Sequence, residues 1–537
     1  MSDPTKPPGP LPTITTPRRP PEFEVLFRPG DPSDPQNWPS WYRMWAILTV
    51  AFSAWVVILF STSYTGALPA LIDEFHVSRT HATLGLSTYL LGLALGSLVV
   101  APLSELLGRR IVYLVGLALW AAFIIPCGVA QCLTTILVNR FISAIFGAAL
   151  ICNGPGTVVD VSKPDRLAMG MSLFSLGPFN GPVLGPLIGG LVFEYLGWRW
   201  TNWIVLILAG VAFSMMLTIH ETYAPRILRQ RAAKMRKETG DDRWWCRYDD
   251  TAVSWSLFAT HMKRPLVLFF TEPIVWFINV WNALIYGILY LCFVAYPVVF
   301  MQHRGWTVGF AGMSYLGIGV GIVLAIAAEP LARRIIHARP PDPLTGKPPP
   351  EAAALLMVAG ALLTPIGQLG FAWTCLPARI HWVIPLMFGV PFGFGNTLSF
   401  IYSSNYLAGA YGIYAASALA SNAVIRSIFG ATLPLAGTRM YQDLDPRWAG
   451  TICGLLAVGM IPVPFVFWRY GAAIRARSRV IRQLREQRDA MEASRAEYQA
   501  KQDDYSSSNG QLASEKELSI AIAPSRVYLT ELKPVKR

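Results

Sequence analysis

Residues 177–190 read GPFNGPVLGPLIGG, three Gly-Pro pairs at four-residue spacing inside an otherwise apolar run. Glycine and proline are the two poorest helix formers, so their repetition here serves something other than helix propensity. Gly177, Gly181, Gly185 and Gly189 recur every four residues and form one stripe on a helix, with Gly190 directly after. A stripe without side chains lets a neighbouring backbone approach closely. Pro178, Pro182 and Pro186 each remove a backbone donor, which leaves the carbonyls of Phe174, Pro178 and Pro182 without their usual partners. Irregular backbone of this kind is tolerated at membrane depth only where it is buried in protein or lines a cavity. The stretch predicts a helix shaped for a moving interface, with a plain GxxxG-type packing face as the alternative.

The rest of the chain supplies the membrane. Of its 537 residues 53% are hydrophobic and only 14% charged, and the apolar residues fall in long blocks, which excludes a soluble fold. Runs of about 18 or more mostly apolar residues lie near 44–62, 82–103, 111–129, 133–159, 168–194 and 200–219, then near 273–300, 308–328, 352–373, 381–402, 412–440 and 449–470. The fold class is therefore all-α integral membrane, twelve transmembrane helices in two six-helix bundles. The expected domains are a disordered proline-rich tail (1–43), a first bundle (44–219), a cytosolic linker with one or two surface helices (220–266), a second bundle (267–470) and a cytosolic tail (471–537), helical at its start.

Charge placement orients the chain. With both termini cytosolic, the outer loops and span ends carry only Arg79, Arg199, Arg304, Arg379, Arg439 and Arg447, while the tails, linker and inner loops carry nearly all other Lys and Arg. That satisfies the positive-inside rule. The net charge of +13 then reflects topology and attraction to acidic membrane lipid, not nucleic-acid binding. No P-loop, GxSxG or HExxH occurs, and neither the seven cysteines nor the seven histidines show ligand spacing. The expectation is a non-enzyme without cofactors or metal. An ATP-driven pump would need a nucleotide-binding domain, and no segment outside the spans could form one.

Seven segments carry a resemblance. GPFNGPVLGPLIGG looks like the antiporter motif of major facilitator superfamily exporters. APLSELLGRR (101–110) is similar to that superfamily's inner-loop motif, and NRFISAIFGAA (139–149) to its fourth-helix motif, in which an arginine precedes small residues. NWPSWYRMW, GWRW (197–200) and ETYAPRIL (221–228), with YAASALASNAVIRSIFGATLPL in the second half, resemble the fungal twelve-spanner drug:proton antiporters over roughly residues 35–480. Departures exist. Ala101 stands where the general pattern has glycine, Gly409 where an aspartate is expected, and PPEAAALL lacks the arginine that commonly follows. The last two weaken the expectation of a matching charge network in the second half.

The resemblance implies a proton-coupled exporter of drug-like or toxin-like small molecules working by alternating access around a midplane site. Its partners would be a small-molecule substrate, protons and membrane lipid. A monomer in the plasma membrane is expected, although a vacuolar membrane would carry the same topology. A proton-driven nutrient importer is the alternative, and a non-transporting receptor or scaffold a second one. Arg140, a costly cation within the fourth span, would tune proton binding. Glu105, Gly108, Arg109 and Arg110 would form a cytoplasmic latch with Asp160 and with a helix end across the bundle.

Polar and aromatic residues near span centres are cavity candidates: Tyr89, Asn153, Asn180, Trp276, Asn279, Asn282, Tyr286, Asn396, Asn422 and Arg426, with Trp281 beside them. No carboxylate sits confidently at a span centre, which disfavours a strongly cationic substrate.

Overall fold

The structure, a computed structural model, describes residues 23–483 except 29, 164–165, 250–254 and 341–347, together with Glu486. Twelve helices are long and apolar enough to cross a membrane. The first six are α1 (Ser40–Phe75), α2 (Arg79–Leu107), α3 (Arg109–Gly128), α4 (Leu133–Val161), α5 (Leu167–Leu196) and α6 (Trp198–Leu217). Two linker helices follow, α7 (Ala224–Thr239) and α8 (Trp255–Thr271). The second six are α9 (Pro273–His303), α10 (Val308–Ala327), α12 (Glu351–Thr374), α13 (Val383–Tyr411), α14 (Ala415–Asp443) and α15 (Pro446–Arg477), with the short α11 (Glu329–His337) after α10. An even number of spans per half puts both tails and the linker on one face, called here the tail face; the opposite one is the far face.

Helix ends follow local chemistry. Gly108 closes α2 and opens α3 at φ +93°, where a side chain would be strained. A Cβ there would also collide with the Glu221 carboxylate. Glu272 is extended (φ −108°, ψ 107°) because it precedes Pro273, so α8 runs to Thr271, beyond the expected linker end at 266.

Two further boundaries are corrected. Residues 23–28 and 30–43 are packed, not a disordered tail: Val25 N–H donates to the Trp245 carbonyl at 2.8 Å, and Trp245 N–H to the Phe23 carbonyl at 3.0 Å. Val25 is buried with Leu228, Ala232 and Cys246, and Asp31 pairs with Arg231 on α7. The short FEVLF run (23–27) supplies apolar surface for this docking, Phe27 packing beside Val25. At the other end α15 continues to Arg477 instead of stopping near 470, because its charged last turn is anchored by Arg475. The C-terminal helix expected within 471–537 lies outside the described residues beyond 483, Glu486 excepted.

The glycine stripe of α5 packs on α1. A Cβ on Gly177, Gly185 or Gly189 would run into the Ala51 carbonyl, the Thr62 hydroxyl or the Ser63 carbonyl, and one on Gly181 would stand 2.9 Å from Ile58. Thr62 Oγ1 donates at 2.9 Å to the Pro182 carbonyl, the acceptor that Pro186 frees. The cost of that proline is therefore offset across the seam. Because α1 belongs to the same half, the stripe is an intra-bundle joint, and only its far end, at Gly190, reaches the other half.

Candidate functional site

Among the described residues, several contacts join the halves toward the far side. Glu194 at the end of α5 accepts the Gly309 N–H, in the first turn of α10, at 2.8 Å. Its negative charge there also favours the helix N-terminus. Gly190 and Leu187 abut Val308 and Gly312 so closely that a Cβ on Gly190 or Gly312 would lie 2.8 Å from Val308 O or 2.7 Å from Leu187 Cα. Ser87 donates to the Ala431 carbonyl at 2.6 Å, and the Ser61 and Tyr290 hydroxyls are 3.2 Å apart. Interhelical hydrogen bonds in membrane proteins average only about 0.6 kcal/mol each, so these bonds add little to the hold between the halves. A cavity of about 350 Å³ lies beyond them on the far face, lined in part by Asp73, Arg79, Gln302 and Tyr315.

Arg140 is fully buried. Its guanidinium donates to Gly85 O at 2.7 Å, Phe60 O at 3.0 Å and Ser61 O at 2.9 Å, tying α4 to α2 and α1. The rings of Phe60, Tyr64 and Tyr89 surround it at 4.5, 4.5 and 5.1 Å. Nη1 is buried with no partner. Carbonyl dipoles and ring faces thus solvate this cation in place of a carboxylate. Tyr89 belongs to this cage, its hydroxyl donating to Val57 O at 2.7 Å and accepting from Trp120 at 3.1 Å, and is not a cavity residue.

On the tail face Arg109 lies 3.5 Å from Asp160 and donates to Ser104 at 2.6 Å and to Asn153 Oδ1 at 3.3 Å. Asn153 therefore sits in the latch cluster and not in a central cavity. Glu221, not among the candidates, is the organiser. Its carboxylate accepts the backbone N–H groups of Arg109, Arg110, Thr222 and Tyr223 at 2.9–3.3 Å. Arg110 Nη2 also donates to Leu217 O at 3.2 Å, and the Arg109 guanidinium lies over the Tyr223 ring at 5.1 Å. The visible signal was the glutamate of ETYAPRIL, whose target could not be read without the fold. Among the described residues the hydrogen bonds of this cluster stay within α2–α6 and the start of the linker. Among the described residues the expected bond to a helix end across the bundle is not formed.

The second half has its own tail-face pairs, built from other residues. Glu351 makes a two-pronged pair with Arg475 at 2.7 and 2.8 Å, and Glu272 accepts from Tyr411 at 3.0 Å and Ser478 at 2.6 Å. The arginine missing after Pro350 and Glu351 is thus replaced by one from the last span.

Most asparagine candidates tie helices of the second half together. Asn279 donates to Ser421 at 2.9 Å and accepts from Asn422 at 3.0 Å; Asn282 donates to Ser403 at 2.5 Å and Asn396 to Ile285 O at 3.4 Å. Trp281 is buried, and Trp276, 42% exposed, packs on Phe277 near the tail-face end of α9. Buried amides recruit partners from neighbouring helices when water is scarce, which is why these residues were drawn off the cavity. What remains at mid-depth is Arg426, under Phe400 at 4.4 Å and Tyr286 at 5.1 Å. Phe179 of α5 meets Phe400 edge-on at 5.1 Å, and the Asn180 amide is turned back to Leu176 O at 3.2 Å.

Two sets of six membrane-length helices, no strands among the described residues and a Gly-Pro fifth helix frame the comparison with known proteins. The profile of the Major Facilitator Superfamily matches residues 50–430. This chain belongs to that superfamily. It is 40% identical over 461 residues to the major facilitator superfamily multidrug transporter mdrA of Aspergillus fumigatus, covering 85% of this chain and 75% of that one. It is 39% identical over 460 residues to the citrinin biosynthesis cluster MFS transporter mrr1 of Monascus ruber, covering 84% and 91%. Among solved structures, the proton:xylose symporter XylE aligns with TM-score 0.56 at 15% identity over 81% of this chain and 96% of that one. The human organic anion transporter MFSD10 aligns at 0.54 and 16%, over 80% and 100%. At such identities the two structures speak to fold alone. The chain is a multi-pass membrane transporter of a non-enzymatic superfamily.

Proposed function

We propose that this superfamily member is a proton-coupled exporter of drug-like or toxin-like small molecules, acting by alternating access as a monomer in a fungal plasma membrane with both termini cytosolic. The observation that carries the reading is α5. Its glycine stripe locks it to α1 while its far end, at Leu187, Gly190 and Glu194, makes the contact with α10 that has to break for release. The relatives named as a multidrug transporter and a metabolite-cluster transporter support the direction and the class of cargo. With the tail face cytosolic, the far-side contacts between the halves are those a loading state needs, which supports this reading. Arg140 supplies a positive field with no carboxylate to cancel it, and a proton-binding group nearby would have its affinity set by that field. The Arg109–Asp160–Glu221 cluster then engages the second half only when the far face opens.

The test is accumulation of a panel of fluorescent and toxic compounds in cells with and without the chain, each with and without a protonophore. Lower accumulation that the protonophore abolishes is expected. Higher accumulation would make the protein an importer, and efflux indifferent to the protonophore would remove the coupling.

A further inference from the structure

Arg426 is the one candidate whose charge the surrounding protein leaves unanswered. It lies roughly 16 Å along α14 from its tail-face end, in a helix of 29 residues. Nε is buried without a hydrogen-bond partner, and among the described residues no carboxylate pairs with the guanidinium. Every Asp and Glu of the twelve spans stands at or beside a helix end: Asp73, Glu74, Glu105, Asp160, Glu194, Glu351 and Asp443. The Phe400 and Tyr286 rings cover the cation's faces, but rings accept nothing from the N–H edge of a guanidinium. Arg140 differs, since three carbonyls take up its N–H groups.

An unpaired arginine at this depth costs about 3 kcal/mol on insertion scales. Polar or anionic matter entering the space beside it recovers that cost. The guanidinium fork matches a carboxylate with two parallel bonds. Beside it, Phe179, Phe400 and Tyr286 from α5, α13 and α9 offer ring surfaces on both sides of the boundary between the halves. We infer that Arg426 is the anchor of a central site for amphipathic organic acids, the carboxylate on Arg426 and an aromatic body against Phe179, Phe400 and Tyr286. This rests on the export reading for its physiological sense, but the binding itself can be measured without transport.

Fluorescein and rhodamine 123 are suitable probes, because both carry a xanthene-phenyl body and only the first has a free carboxylate. Fluorescence anisotropy with the purified full chain in detergent gives their affinities for wild type, Arg426→Lys and Arg426→Gln, after matching thermal midpoints. The expected result is that wild type prefers fluorescein, that Arg426→Gln weakens it about ten- to a hundredfold with rhodamine 123 unchanged or tighter, and that Arg426→Lys falls between. If Arg426→Gln does not fold, Phe400→Leu replaces it; it should weaken both dyes, whose aromatic body is shared, while the wild-type preference for fluorescein persists, and unchanged fluorescein binding would overturn the site. Absent fluorescein binding, equal binding by wild type and Arg426→Gln, or a wild-type preference for rhodamine 123 would overturn the anion site. Accumulation of both dyes in cells separates the two ideas: binding without efflux keeps the site and removes the exporter, and efflux of rhodamine 123 without fluorescein binding does the reverse.

Discussion

Replacing Arg140 by leucine separates a brace from a functional charge, because the two roles predict different magnitudes. Leucine removes three donors, leaving the carbonyls of Gly85, Phe60 and Ser61 unmet. At about 0.6 kcal/mol per interhelical bond in a membrane, rising to about 1.5 or more for a charged donor, the loss is about 2–5 kcal/mol. Loss of the ring contacts adds about 1 kcal/mol. Against this, removing a buried cation that lacks a carboxylate returns about 3 kcal/mol. The net change is therefore small, about 3 kcal/mol at most, and the thermal midpoint of so large a chain should fall by only several degrees. Transport should nonetheless be lost, since no leucine restores the positive field. Arg140→Lys, which keeps the charge but can serve fewer of the three carbonyls, should retain part of it. The assay pairs thermal unfolding of purified protein with efflux at matched surface abundance. A fall of more than about 15 °C, or a leucine variant that still transports, would refute the reasoning: the first outcome makes Arg140 a brace, the second makes its charge dispensable.

Gly185→Leu places a side chain into Thr62 and the backbone of α1; overpacking of this kind costs about 1–3 kcal/mol or more, and reduced surface abundance and transport are expected in the same expression system. Glu194→Gln keeps an acceptor for Gly309 N–H but removes the charge at the α10 N-terminus, worth about 0.3–1 kcal/mol, so labelling from the far face of a cysteine placed at Val183, buried behind the far-side contacts, should quicken about two- to fivefold. Glu221→Ala strips the acceptor from four backbone donors, and hydrogen exchange at Arg109 and Arg110 should accelerate more than at any residue of the far face. The Arg231 guanidinium holds the Asp31 carboxyl below its ordinary value of 3.8. A depressed folded-state value means the strap is fully stabilised above about pH 4 and is released as pH falls through the lower, folded value. Asp31→Asn should therefore raise exchange in residues 23–28 at neutral pH, where the wild type is protected.

The spans were legible because bilayer thickness imposes a length that composition alone reveals. The α5 stripe was legible for a similar reason, since four-residue spacing fixes one face of a helix whatever its surroundings. Its partner was not. Either half could have met those glycines, and the structure puts α1 there, with Thr62 on the carbonyl freed by Pro186. The asparagines show the opposite failure. A polar side chain at a span centre reads identically whether it faces a ligand or a neighbouring helix, and Asn279, Asn282, Asn396 and Asn422 proved to bond their own half. Glu221 was missed because two of its four acceptances, from Arg109 and Arg110, join segments on either side of four spans, a relation with no local signature.

By itself the sequence determined a twelve-span, two-half membrane protein, its superfamily resemblance and the two arginines placed within spans against apolar cost, since hydrophobic length, helical period and the expense of charge in lipid are properties of residues in order. Only the tertiary structure decided which arginine is answered and which is not. Arg140 is met by carbonyls of α1 and α2 and Arg426 by ring faces alone, because solvation of a buried charge is set by whatever other helices bring within about 3 Å of it.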